Sequence, residues 1–240
     1  MRVGSAEEYL RPFDRLVVVA PHPDDDVLGC GGSIAAAAAI ALDVVVVYVT
    51  DGGASHAGSP TYPPERLRTV REEEARAALA ILGATSELRF LRVADGTVAA
   101  LAGATADTVV AAIANAIGDG RPLVMGPWIR DHHTDHLAVA ALVRRACARC
   151  PGATLLEYAV WLDERGTAHD RPRAGEGTAV ALDIAAYATA KSAALAAHRS
   201  QLGSVVTDAT IAFAIPPGLI AAATRPSEHF LRVRASPGPA

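Results

Sequence analysis

The sequence has no surplus of basic residues: 22 Lys and Arg stand against 26 Asp and Glu, a formal net charge of −4. A nucleic-acid-binding surface carries the opposite balance, so no such partner is expected. Cysteine is scarce and odd in number, with only Cys30, Cys147 and Cys150. A secreted disulfide framework would show an even and denser set. Cys147 and Cys150 form a C-x-x-C inside an expected helix. Without a second pair they read as helix residues rather than a zinc or redox centre. No charge-free apolar run reaches the roughly 18 residues of a membrane span. The segment from Met1 to Glu8 lacks the apolar core of a signal peptide. These absences lead to the expectation of a cytoplasmic protein.

Apolar residues make up 51% of the 240 residues, enough for a large core. That length suits one domain, expected over residues 1–234, with a disordered tail at 235–240. Strands are expected at 15–20, 43–50, 87–91, 122–126 and 155–160. All but the last are apolar without alternation, as in sheets covered on both faces. Helices are expected at 30–41, 64–82, 105–118, 135–149 and 184–199. The second opens on Pro63-Pro64-Glu65 and stops near Gly83. Residues 163–178 read as a loop. Beyond 206 the pattern thins to a helix at 208–213 or 217–223 and a final strand near 229–234. Alternating strands and helices predict a single-domain α/β fold, Rossmann-like and doubly wound on a mostly parallel sheet.

Two short segments concentrate chemistry. Pro21-His22-Pro23-Asp24-Asp25-Asp26 follows the first strand, and Asp131-His132-His133-Thr134-Asp135-His136 follows the fourth. Both then lie at the carboxyl edge of the sheet, where open α/β folds bind ligands. Carboxylates and imidazoles crowded there repel or compete unless a divalent cation organises them. Catalytic zinc takes three N or O ligands and keeps a position for water. His133 and His136, three residues apart across a helix start, can face one point. The same aspartates would also serve as helix caps, and the histidines as solvated loop residues. Gly29, Gly31 and Gly32 do not complete a G-x-G-x-x-G, and the acidic run would repel a pyrophosphate.

Pro21-His22-Pro23-Asp24-Asp25 followed by Leu28-Gly29-x-Gly31-Gly32 resembles the signature of the PIG-L/LmbE-like N-acetylglucosaminyl deacetylases. His133-x-Asp135-His136 resembles their second motif. Weaker agreements extend over most of the chain: Thr50-Asp51-Gly52, Arg71-Glu72-x-Glu74-Ala75 with Leu82-Gly83, Asp95-Gly96, and Lys191 to His198-x-Ser200-Gln201. Asp26 departs from the Glu most often found there and leaves the ligand positions intact. The resemblance implies that His22, Asp25 and His136 hold zinc, a set that also suits Fe(II). It implies Asp24 as general base, His133 as oxyanion stabiliser and proton donor to the leaving amine, and Asp135 as the group that orients or tunes His133. It further implies a small-molecule or glycoconjugate substrate and assembly into homo-oligomers.

Four residues are candidates for substrate contact. Arg68 suits sugar hydroxyls or phosphate, or pairs with Glu72 at i,i+4. Asp95 precedes a turn glycine and is favoured by the resemblance. Trp128, just after the fourth strand, stacks on a sugar or packs in the core. His198 sits near a helix end. The expected activity is removal of acetyl from an N-acetylglucosamine unit. An amidase acting on a sugar-linked thiol conjugate is the alternative. A non-catalytic sugar-binding relative is a third reading, disfavoured because Asp24 and every ligand are present.

Overall fold

The computed structural model describes residues 3–84 and 87–233. The expected tail at 235–240, and residue 234 of the expected last strand, lie outside the described residues. In chain order the main elements are β1 (Val3–Ser5), α1 (Ala6–Leu10), β2 (Arg15–Ala20), α2 (Asp25–Ala39), β3 (Asp43–Thr50), α3 (Pro64–Ile81) and β4 (Glu87–Val93). They continue with α4 (Gly103–Ile117), β5 (Pro122–Pro127), α5 (Thr134–Cys147), β6 (Thr154–Tyr158) and α6 (Leu162–Arg165). The last are β7 (Gly177–Asp183), α7 (Ala188–Ala197), α8 (Pro217–Ala223) and β8 (Ser227–Val233).

The eight strands among the described residues form one sheet in the order β1-β7-β8-β6-β5-β2-β3-β4. Only β8 runs antiparallel, to β6 and β7. The sheet is thus mostly parallel and doubly wound, as expected. Valines 17 and 19 of β2 point into one apolar layer with α4 and α5, and Leu16 and Val18 point into the other with α2. Each strand residue so buried contributes about 1.5–3 kcal/mol of transfer free energy. Chain order reverses at β2: β3 and β4 lie to one side, β5 and β6 to the other. The loops leaving β2 and β5 diverge there, opening the crevice in which such folds bind ligands.

Several elements depart from expectation, each for a local reason. Helix α2 begins at Asp25 rather than near 30, because the amides of Asp24 and Asp25 both turn back onto the His22 carbonyl, at 3.0 and 3.2 Å. Its glycines permit close packing. A Cβ on Gly29 would run into the Tyr158 ring, and one on Gly32 would lie 2.6 Å from Ile184. Strand β6 stops at Tyr158, short of 160, because the amides of Val160 and Trp161 turn to the Asp131 carboxylate. The expected loop 163–178 holds the short α6 and the first residues of β7. The expected helix 184–199 is α7, which starts only at Ala188, after a 3-10 turn at Ala185–Tyr187. Of the two late-helix options the structure takes 217–223. Among the described residues, no helix is long and apolar enough to cross a membrane.

Candidate active site

The two motif segments meet at the switch point. His22 stands on the turn after β2 and is 8% exposed. Its backbone amide donates to Asp25 Oδ2 at 2.9 Å, and its Nδ1 lies 3.1 Å from the same oxygen. On its other side, Nε2 faces Asp95 Oδ1 at 3.2 Å and Asp135 Oδ2 at 3.4 Å. His136, in the first turn of α5, brings Nε2 to 3.1 Å from Asp25 Oδ2. Its Nδ1 lies 2.8 Å from Asp131 Oδ2.

Asp131 also accepts the amides of His132, Val160 and Trp161. Asp131 thus gathers donors from four groups, so when His136 is neutral its hydrogen sits on Nδ1, towards Asp131, and Nε2 keeps the lone pair. That Nε2 is buried and has no hydrogen-bond partner. His133 caps α5, its Nδ1 accepting the Asp135 amide at 3.2 Å. Its Nε2 therefore carries the hydrogen. It is half-buried, whereas His22 and His136 are buried.

Adjacent carboxylates have opposite surroundings. Burial would raise the Asp25 carboxyl, yet the neighbouring His136 and then His22 hold it well below the carboxylate range. Burial pushes Asp24 up to about 7, opposed by the Arg71 guanidinium 3.2 Å away. Asp26 is likewise pushed to about 7 by burial, against a 2.9 Å hydrogen bond from the Tyr48 hydroxyl. Burial lowers His22 and His136, but their carboxylate partners win, leaving His22 well above its usual value and His136 at about 9. Asp95 is held at about 2: burial would raise it, and the hydrogen bond to His22 overcomes that. His133 is lowered, first by burial and then by the neighbouring histidines.

This donor set fits a divalent ion. Ligands about 2.0–2.2 Å from a tetrahedral zinc stand roughly 3.3 Å from one another. Asp25 Oδ2 lies at 3.1 Å from nitrogens of both His22 and His136. Nitrogens of His22, His133 and His136 also lie within 4.8 Å of one another. The orphaned lone pair of His136 is the expected mark of a ligand position.

Other expected residues are placed differently. Asp135 meets His133 through its amide and through its charge, which raises that imidazole, and its carboxylate is bonded elsewhere. It accepts the amides of Gly96 and Val98 at 2.8 and 3.2 Å and faces His22. Asp95 does reach the cluster. Arg68 is half-buried, and its suggested partner Glu72 is instead held by Arg92, at 2.7 and 3.1 Å, and by Arg76. The arginine at the site is Arg71, one turn further along α3. Trp128 is 2% exposed, donates Nε1 to the Asp170 carbonyl and packs on Leu162 and Leu231. The Arg130 guanidinium lies over its ring, 4.6 Å from the centroid, so the packing reading describes it better than sugar stacking. It borders a groove of about 420 Å³ between α6, α8 and β8, which none of the three cluster histidines lines. His198 is fully buried with both ring nitrogens unpaired, away from any open face.

Burial, followed by the Arg71 charge, pushes His198 down to about 3. An unfolded histidine titrates near about 6.5. Between these values the unfolded chain holds a proton the folded chain refuses. Stability is then fully present above about pH 6.5 and falls as pH drops, by at most about 1.4 kcal/mol per unit. A His198→Asn variant cannot bind that proton. It is expected to gain on the parent by about 2 kcal/mol in urea unfolding between about pH 7 and about pH 5. A gap independent of pH would refute the buried neutral imidazole.

A doubly wound sheet with a histidine–aspartate cluster at its switch point defines an α/β protein whose buried donor set could hold a metal ion. Residues 17–147 match the family PIG-L, GlcNAc-PI de-N-acetylase, and the chain belongs to that family. It is 30% identical to the 1D-myo-inositol 2-acetamido-2-deoxy-alpha-D-glucopyranoside deacetylase of Mycobacteroides abscessus, over 93% of each chain. The conserved protein TT1542 of Thermus thermophilus superposes with a TM-score of 0.64 at 27% identity, covering 95% of this chain and 99% of that one. The N,N'-diacetylchitobiose deacetylase of Pyrococcus horikoshii shares the fold, with a TM-score of 0.62 at 20% identity over 80% and 72% of the two chains.

Proposed function

We propose that the chain is a metal-dependent hydrolase that removes the acetyl group from an N-acetylglucosamine unit of a small molecule or glycoconjugate, giving a free amine and acetate. The carrying observation is the opposite fate of two consecutive carboxylates. Asp25 is shared by His22 and His136, while the Asp24 carboxylate pairs with neither imidazole and lies against Arg71. This difference supports reading Asp25 as a ligand and Asp24 as a base. The family relationship and the deacetylase named in Mycobacteroides abscessus support the same reading.

In this reading His22, Asp25 and His136 hold the ion, zinc by donor type, with Fe(II) suited to the same set. Such an ion supplies Lewis acidity, polarising the acetamide carbonyl and bringing the pKa of a water to ~7. Asp24 takes the proton of the attacking water, its own affinity raised by burial towards the range in which a base works best. Arg71 limits that rise and fixes the carboxylate. His133, neutral and half-buried, offers its Nε2–H to the developing oxyanion. Because burial and the neighbouring histidines keep a second proton off His133, the leaving nitrogen takes the proton held on Asp24, and not one from His133 as the resemblance implied. Asp95 and Asp135 accept from His22 and fix its ring. The three free cysteines agree with a reducing cytoplasm.

The test is acetate release from a panel of N-acetylglucosamine conjugates by zinc-loaded protein. Turnover of at least one conjugate, abolished by chelation, is expected. Free amine released from a sugar-linked thiol amide, with no acetate from any acetylated conjugate, would move the enzyme to the amidase reading. No release from any member by protein carrying one equivalent of metal would leave the non-catalytic reading.

A further inference from the structure

Three residues beyond α7 take no part in the chemistry above, yet they are fully buried: His198, Ser200 and Gln201. Ser200 and Gln201 lie on a 3-10 turn, Arg199–Leu202, that packs on α3, and His198 caps it. Ser200 donates both its amide and its hydroxyl to Glu74, at 2.7 Å each. Glu74 sits three residues after Arg71 on the same helix. Gln201 Nε2 donates to Ser200 Oγ at 2.9 Å and to Ser55 Oγ at 3.4 Å. Ser55 Oγ in turn donates to the Gly52 carbonyl at 3.4 Å, and that carbonyl also receives Arg71 Nη1 at 3.0 Å. Through the α3 turn from Arg71 to Glu74 the ring closes on itself.

The ring has one outlet towards the chemistry. Arg71 Nη2 reaches the Pro23 carbonyl at 3.0 Å and Asp24 Oδ2 at 3.2 Å. The loop leaves no slack on the other side of the guanidinium. Gly52 has φ +64°, and a Cβ there would lie 2.5 Å from Arg71 Nη1. Arg71 is itself 2% exposed, so its angle at Asp24 is set by protein groups rather than solvent.

We propose that Gln201 is a positioning residue for Asp24: by tying Ser55 to Ser200 it links the 52–55 loop to α3 and fixes the Arg71 guanidinium against the Asp24 carboxylate. This rests on the reading of Asp24 as the base. Gln201 touches no reacting atom. Its two hydrogen bonds are weak singly, but the ring makes them cooperative, and a group displaced by a fraction of an ångström at a base is felt in the rate.

The test is a double-mutant cycle on zinc-loaded enzyme. Gln201→Met keeps the length and removes the amide. It is expected to lower kcat by roughly tenfold, with KM and bound metal unchanged. In an Arg71→Lys background the same change is expected to cost less than about twofold, because the group it acts through has gone. A merely structural role would lower the thermal midpoint and the active fraction equally in both backgrounds. The proposal is overturned if Gln201→Met leaves kcat within about twofold of the parent, or costs the same factor in both backgrounds. Should Gln201→Met fail to fold, Ser55→Ala opens the ring from the half-buried loop side and is read by the same cycle. An Asp24→Asn enzyme with undiminished kcat would instead overturn the base assignment itself.

Discussion

Replacing Asp24 with Asn is expected to cut kcat by roughly 10²–10⁴-fold while the protein keeps its metal and its fold. The Asp24 carboxylate pairs with neither His22 nor His136, so its loss leaves the Asp25 contacts to those two imidazoles intact. Burial is what raises Asp24, which means that the ionised form is held at a cost in the folded state. An amide of the same shape is free of that cost, and Arg71 retains the carbonyls of Pro23 and Gly52. The thermal midpoint is therefore expected to stay level or to rise, as when a strained catalytic group is removed. Single-turnover acetate release and elemental analysis of one preparation give both readings. Loss of metal from Asp24→Asn, with retention in Asp25→Asn, would reverse the two roles.

The parts of the fold legible in the sequence are those whose signal is local. Strands β2, β3 and β5 are short apolar runs, and their helices carry recognisable starts, such as Pro63-Pro64-Glu65. From them follows the sheet edge on which the two motifs lie. Strand β1 has three residues and α1 has five, too few for any periodicity to show. Strand β7 is made of small residues, and its pairing with β8, antiparallel, is a long-range choice. That choice is reinforced by Glu228, just inside β8, which accepts from Gly32, Ser33 and Lys191.

The site divides in the same way. His22, Asp24, Asp25, His133 and His136 are clustered in two short segments, and their spacing alone draws attention to them. Asp131 belongs to the second segment, but its task depends on the amides of Val160 and Trp161, about thirty residues away. No pattern in the sequence announces that contact. Arg71 stands out in sequence only as a weak agreement, behind Arg68, because helix phase relative to the cluster is a tertiary fact. Proximity along the chain pairs Asp135 with His133, whereas the crossing of the loop after β4 turns it to Gly96, Val98 and His22.

The second large effect concerns the metal and separates a ligand from its support. Asp25→Asn is expected to reduce bound zinc from about one equivalent per chain to background and to abolish turnover, with no rescue by added zinc. Asp25 Oδ2 meets the His22 amide, His22 Nδ1 and His136 Nε2, and a neutral amide in its place offers a poor ligand and no charge. Asp131→Asn is expected to act one step back. It leaves all three ligands in place but weakens the bond that sets the His136 tautomer, which typically lowers metal affinity about 10–100-fold. Its activity should therefore return as zinc is raised, with kcat near that of the parent, whereas that of Asp25→Asn should not. Zinc titrations of chelator-stripped protein, followed by activity at each concentration, distinguish the two. If Asp131→Asn also resists rescue, Asp131 is needed for more than the orientation of His136. If Asp25→Asn retains a full equivalent of metal, His22, His133 and His136 form the ligand set, and the carboxylates of this turn have a different division of labour.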